Sequence, residues 1–114
     1  MQRYLFIMRG DQAEFLAMTP DDKKKMIAQH LQFSKELQEK KILADGAGCY
    51  ETSVLLAKDG KSIKMTQDPF TGTDNQLSGF YIIHAKSDAE AITIAKGCPA
   101  LKQGETVEVV RLGH

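Results

Sequence analysis

Two segments of the chain are apolar on both of the faces that a β-strand presents, and this pattern limits the fold more than any other feature. Residues 4–8 form a continuous apolar run, and residues 79–85 carry mostly apolar side chains at both the odd and the even positions, which point to opposite faces of a strand. One layer of helices covers only one face of a sheet, and soluble monomers avoid exposing a large apolar face. We therefore predict that a second copy of this 114-residue chain covers the other face, forming a homodimer.

Two helices are predicted from their start and stop signals. Thr19 and Pro20, followed by two aspartates, predict a helix that runs to about residue 40, with an inward stripe of residues 26, 27, 30, 31, 34 and 37. Ser87 and Glu90 form a capping box for a second helix, which ends at Gly97 and turns Ala89, Ile92 and Ala95 inward.

The remaining segments are predicted as strands and connections. Residues 42–44 form a short strand that ends at Asp45-Gly46, and residues 53–58 and 61–66 form a hairpin around Asp59-Gly60. Residues 11–18 are a connection, residues 67–78 a long polar loop, and residues 106–112 the last strand. This order predicts one domain over residues 1–114 with an α+β, ferredoxin-like two-layer sandwich.

Composition excludes several classes of function. Lys plus Arg and Asp plus Glu both number 15, so the chain lacks the basic excess of a nucleic-acid binder. Cys49 and Cys98 are far apart and form no CxxC pair, which argues against a metal site; reduced thiols are the simpler interpretation, with one disulfide as the alternative. No apolar segment suits a signal peptide or a membrane span, and no phosphate-binding or dinucleotide motif is present. We expect a cytoplasmic protein without a cofactor.

An ordered set of short motifs resembles the YCII-related proteins, and within them the DGPF branch. The set consists of residues 28–33, Gln67-Asp68-Pro69-Phe70, residues 77–83, residues 87–91, Cys98-Pro99 and Val107-Glu108-Val109. The chain departs from the branch where no glycine precedes Pro69, where residues 71–75 replace a charged cluster, and where Leu112 stands in place of a closing proline. It is therefore identified as a divergent member. The resemblance implies a dimeric α+β barrel and a histidine on the first long helix paired with a nearby aspartate.

His30 and Asp45 are the residues that this resemblance assigns to catalysis. A carboxylate beside an imidazole fixes its tautomer and raises its basicity, as a general base requires. The alternative is that His30 is a hydrogen-bonded core residue and that Asp45-Gly46 is a plain turn.

Asp68, Phe70 and Tyr81 are candidates for substrate binding. Asp68 and Phe70 suit a pocket wall with an apolar lid, although turn architecture explains Asp68-Pro69 equally well. Tyr81 can donate its hydroxyl into a pocket or serve as an ordinary core tyrosine.

Two functions follow from these candidates. The first is a cofactor-free isomerase or lyase in which His30, oriented by Asp45, moves a proton on a small oxygenated ring or organic acid. The second is a non-catalytic module that binds a small ligand or a regulatory protein. A haem or flavin monooxygenase is a weaker third possibility, because the sequence offers no clear set of cofactor ligands.

Overall fold

A four-stranded antiparallel sheet forms the centre of the fold in the computed structural model, which describes residues 1–113. In chain order the elements are β1 (Gln2–Arg9), α1 (Ala13–Ala17), α2 (Pro20–Glu39), β2 (Leu43–Gly48), β3 (Val54–Asp59), β4 (Ser62–Gln67), β5 (Leu77–Ala85), α3 (Asp88–Ala95), a 3₁₀ helix (Pro99–Gln103) and β6 (Thr106–Leu112). The sheet has the order β2-β5-β1-β6, while β3 and β4 form a separate hairpin. This α+β arrangement is compatible with a ferredoxin-like fold that carries an inserted hairpin.

Both long helices begin at the predicted caps. The Thr19 side chain accepts a hydrogen bond from the Asp22 amide at 3.2 Å, and Ser87 accepts one from the Glu90 amide at 3.2 Å. Pro20 opens α2, where its missing N–H has no helical partner to lose. These local contacts explain why the two helix starts could be predicted from sequence.

The core lies between the helices and one face of the sheet. Its largest fully buried side chains are Tyr4, Phe6, Ile83 and Cys98. The prediction of an inward stripe along the whole of α2 is wrong in part, because only Phe33 and Leu37 are buried there. The stripe predicted for α3 is also wrong in part, because Ala91 and Ala95 are buried while residues 89 and 92 are exposed.

Three local predictions need correction. Residues 13–17 form the short helix α1 inside the segment interpreted as a connection. The strand predicted to end at residue 44 continues through Asp45 to Gly48, because residues 45–48 pair with β5. The hairpin turn consists of Gly60 and Lys61, one residue later than predicted, and the φ of +61° at Gly60 suits the first position of a type II′ turn.

The face of the sheet that points away from the core also carries apolar side chains. Register places Leu5, Ile82 and Val110 side by side on this face, and all three are only partly buried. The hairpin also exposes apolar side chains on one of its faces, with Leu56, Ile63 and Met65 between 62% and 65% exposed. Within residues 1–113 no helix is both long and apolar enough to cross a membrane.

Candidate functional site

A cavity of about 460 Å³ opens between the middle of α2, helix α1, strand β2 and the turn that follows the 3₁₀ helix. Its apolar wall comes from Met8, Phe15, Met18, Met26, Ile27 and Leu31. Ile27 and Leu31 belong to the stripe predicted to be inward, and they are at least half exposed because they face this cavity rather than the packed core. The volume and the apolar wall are typical of a site for a small organic molecule.

His30 lies on the wall of this cavity and bonds through both ring nitrogens. Its Nδ1 is 2.7 Å from the Tyr81 hydroxyl, and its Nε2 is 3.1 Å from Oε1 of Gln103. The histidine therefore links α2 to strand β5 and to the 3₁₀ helix. We predicted that His30 faces the sheet, and its contact with Tyr81 of β5 confirms this.

Tyr81 is held between His30 and the core. Its ring meets Phe33 edge to face at 5.3 Å between centroids, and Gly46 on β2 leaves room beside it. Burial raises the pKa of the Tyr81 hydroxyl from 10.0 to about 12, against a weaker opposing hydrogen bond from Ser34. The hydroxyl thus stays protonated at neutral pH and can donate to His30.

Four carboxylates lie on the cavity wall, and His30 is the one basic side chain among the described lining residues. The acidic lining residues are Asp11, Glu14, Asp74 and Glu105, and among the described residues no lysine or arginine lines the cavity. Glu105 accepts a hydrogen bond from the Gln12 side chain at 3.1 Å. A concave site lined by one sign of charge favours ligands of the opposite sign and repels anions.

The structure does not bring Asp45 to His30, which corrects the predicted dyad. The Asp45 carboxylate accepts from the adjacent Gly46 amide at 2.8 Å and has no bond to the imidazole. Leu43 pairs with Ile83 while Asp45 pairs with Ile82, so β2 contains one extra residue at this point. Such a bulge reverses the side-chain alternation, and Asp45 consequently lies on the face of the sheet opposite to the helices.

Asp68 and Phe70 do not line the cavity, so the structure gives no support to their placement in its wall. The Asp68 carboxylate accepts from the Ser53 amide at 2.8 Å, and the Asp68 amide donates to the Ser53 carbonyl at 2.7 Å. These bonds close the base of the hairpin, so the Asp68 carboxylate has a structural role, although through Ser53 rather than through the local turn weighed as the alternative. Phe70 is 40% exposed, and only Tyr81 among the three binding candidates reaches the cavity.

Gln103 is the site residue that sequence reasoning missed. It is the last residue of the 3₁₀ helix that begins after the buried Cys98, and it lies 73 positions after His30 in the sequence. A glutamine near a helix end usually signals only a solvated surface, so nothing in the local sequence marks it. The acidic residues of the cavity were missed for the same reason, since they come from three segments that are far apart in the sequence.

Both cysteines are free thiols, with Cys49 exposed at the cavity and Cys98 buried. Burial raises the pKa of the Cys98 thiol above its usual range. Among residues 1–113 no group of three His, Cys, Asp or Glu side chains is placed to share a metal ion.

The comparison with protein families gives one match over nearly the whole chain. The family model described as YCII-related domain matches residues 2–112. No curated protein matches the chain.

Proposed function

This chain belongs to the YCII-related family, whose model covers residues 2–112, and we propose that it binds a small, mainly apolar organic molecule that is neutral or cationic. The observation that carries the proposal is the cavity of about 460 Å³ whose charged lining residues are all acidic. An organic acid, the substrate class considered from the sequence, would meet four carboxylates and no cation there. Electrostatics therefore favours an amine or an alcohol over an acid.

The hydrogen bonding of His30 favours binding over catalysis through a histidine–aspartate pair. A neutral imidazole has one donor and one acceptor, and Tyr81 and Gln103 use both. Asp45 lies on the opposite face of the sheet, so it cannot orient this ring within one chain. His30 then lines the cavity as a fixed polar side chain and orients the Tyr81 hydroxyl for the ligand.

The experiment is an NMR titration of the full chain with three probes of similar size: benzylamine, benzyl alcohol and benzoate. We expect benzylamine and benzyl alcohol to shift the amides of residues 46–49, with Kd values on the order of 1 mM, or about −4 kcal/mol. Benzoate should bind at least tenfold more weakly. Tighter binding of benzoate, or an absence of shifts at residues 46–49 with all three probes, would contradict the proposal.

An enzyme is the second candidate, and the short bond between Tyr81 and His30 is the observation that favours it. A ligand proton could pass to the Tyr81 oxygen while the Tyr81 proton passes to Nδ1, which leaves a deprotonated ligand and an imidazolium. The test is hydrogen–deuterium exchange from D₂O into the C–H bonds next to the carbonyl group of acetophenone, a neutral ketone of similar size, catalysed by wild type and lost in Tyr81→Phe. Equal exchange rates in the two proteins would remove this candidate.

We further propose that the chain is a cytoplasmic homodimer of the α+β barrel type and belongs to the DGPF branch. The partly exposed apolar face of the sheet and the exposed hairpin residues Leu56, Ile63 and Met65 support a second copy as the cover. Light scattering should give twice the chain mass of 12.7 kDa. Ile63→Lys should weaken the dimer, and a monomeric wild type at micromolar concentration would refute it.

A further inference from the structure

We infer that Gln103 is a positioning residue that holds His30 in the tautomer with its proton on Nε2, so that the Tyr81 hydroxyl donates to Nδ1 and offers the ligand only an acceptor. The inference deepens the proposed function, on which it rests, because it specifies the hydrogen-bonding character of the ligand. A ligand group that bonds to the Tyr81 oxygen must itself be a donor, as an ammonium or a hydroxyl group is.

The orientation of the Gln103 side chain is the first step. Its Nε2 donates to Oε1 of Gln29 at 3.0 Å and to the carbonyl of Met26 at 3.4 Å. Rotating the amide by half a turn would set its oxygen against these two acceptors and remove both bonds. Two residues of α2 therefore keep the Gln103 oxygen facing His30.

The tautomer of His30 is the second step. Oε1 of Gln103 can only accept, so the His30 Nε2 at 3.1 Å must carry the proton. A neutral imidazole has one N–H, which leaves Nδ1 as an acceptor for the Tyr81 hydroxyl at 2.7 Å. The His30 carbonyl, 3.5 Å from this hydroxyl, competes weakly for the proton. Ser34 acts on the Tyr81 oxygen as a donor, because its hydrogen bond lowers the pKa of Tyr81.

The consequence for the ligand is the third step. With its proton committed to Nδ1, the Tyr81 oxygen can only accept a further hydrogen bond. The remaining charged groups on the wall, Asp11, Glu14, Asp74 and Glu105, are acceptors as well. The charged groups of this wall, together with the Tyr81 oxygen, therefore complement a donor.

The tautomer can be read directly from long-range ¹⁵N–¹H spectra of the histidine rings in the full chain. The variants are Gln103→Met, which keeps the length and removes the acceptor, and Gln103→Glu, which keeps both the length and an acceptor. Gln32→Met is the matched control, because Gln32 lies on the exposed side of α2 and bonds only to Glu36. His30→Asn identifies the His30 signals.

We expect wild type, Gln103→Glu and Gln32→Met to carry a proton on Nε2 of His30. Gln103→Met should show two exchanging tautomers, with the two ring nitrogen shifts drawn towards each other. A wild-type ring protonated on Nδ1 overturns the inference, and so does an unchanged ring in folded Gln103→Met. If Gln103→Met does not fold, the wild-type spectrum still decides the outcome, because a ring protonated on Nδ1 overturns the inference.

This measurement needs no ligand, so it can fail while the probe titration succeeds. Conversely, absence of probe binding would refute the proposed function and leave the tautomer result as it stands.

Discussion

Replacing Tyr81 with phenylalanine should remove a loss of stability that the wild-type chain suffers in alkaline solution. Burial raises the pKa of the Tyr81 hydroxyl to about 12, while the same group in the unfolded chain titrates near its ordinary value of 10.0. Between these two values the unfolded state has lost the proton and the native state retains it. The native state then binds more protons, so the free energy of unfolding falls as the pH rises through this window.

The size of the effect follows from the shift. Two pKa units correspond to a maximum of about 2.7 kcal/mol, and because the hydroxyl borders an open cavity, solvent screening should reduce this to about 1 to 1.5 kcal/mol. Below the window the variant should be the less stable protein, by about 1 kcal/mol, because the hydrogen bond to His30 is lost. The stability difference between the two proteins should therefore shrink or reverse as the pH rises.

The assay is urea unfolding of wild type, Tyr81→Phe and Tyr50→Phe at a series of alkaline pH values. Tyr50 is 87% exposed, so its variant is the matched control and should follow wild type throughout. The pKa of Tyr4 is also raised, chiefly by its hydrogen bond to Asp88, but this contribution is common to all three proteins and cancels. Parallel stability curves for wild type and Tyr81→Phe would refute the reasoning, because the Tyr81 hydroxyl would then titrate alike in both states.

Three further predictions concern Gly46 beside the site, Asp45 on the opposite face of the sheet and Phe6 in the core. Gly46→Ala should destabilise the chain by about 1–3 kcal/mol and weaken probe binding, because the new Cβ would lie 2.9 Å from the ring of Tyr81. Gly48→Ala should be tolerated, because its Cβ would lie 3.9 Å from the nearest atom, the Ser78 carbonyl oxygen. Equal urea midpoints for the two variants would contradict this prediction. Asp45→Asn should leave the ring nitrogen shifts of His30 unchanged, and a change in them would restore the dyad. Phe6→Ala should cost about 3–5 kcal/mol in urea unfolding, because Phe6 is fully buried; a loss below about 1 kcal/mol would show that the core is not packed as described.

Much of the fold could be predicted because its signals are local. A cap such as Thr19 or Ser87 accepts a hydrogen bond from an amide three residues away, so a few neighbouring residues are enough to predict it. The alternation in residues 79–85 likewise placed Tyr81 on one face of the sheet and His84 on the other, because a strand has a fixed period of two. Family membership could be predicted as well, since the ordered motifs span the chain.

The sequence by itself thus determined the element order, both helix starts, the apolar second face of the sheet and the inward position of His30. Only the tertiary structure decided what His30 contacts. One extra residue in β2 reversed the side-chain alternation and turned Asp45 to the other face, and no local signal distinguishes such a bulge from a regular strand. Gln103 reaches the imidazole because the 3₁₀ helix packs beside α2, a contact between positions 73 residues apart. Partners this distant are set by the packing of whole elements, and the sequence around either residue does not encode them.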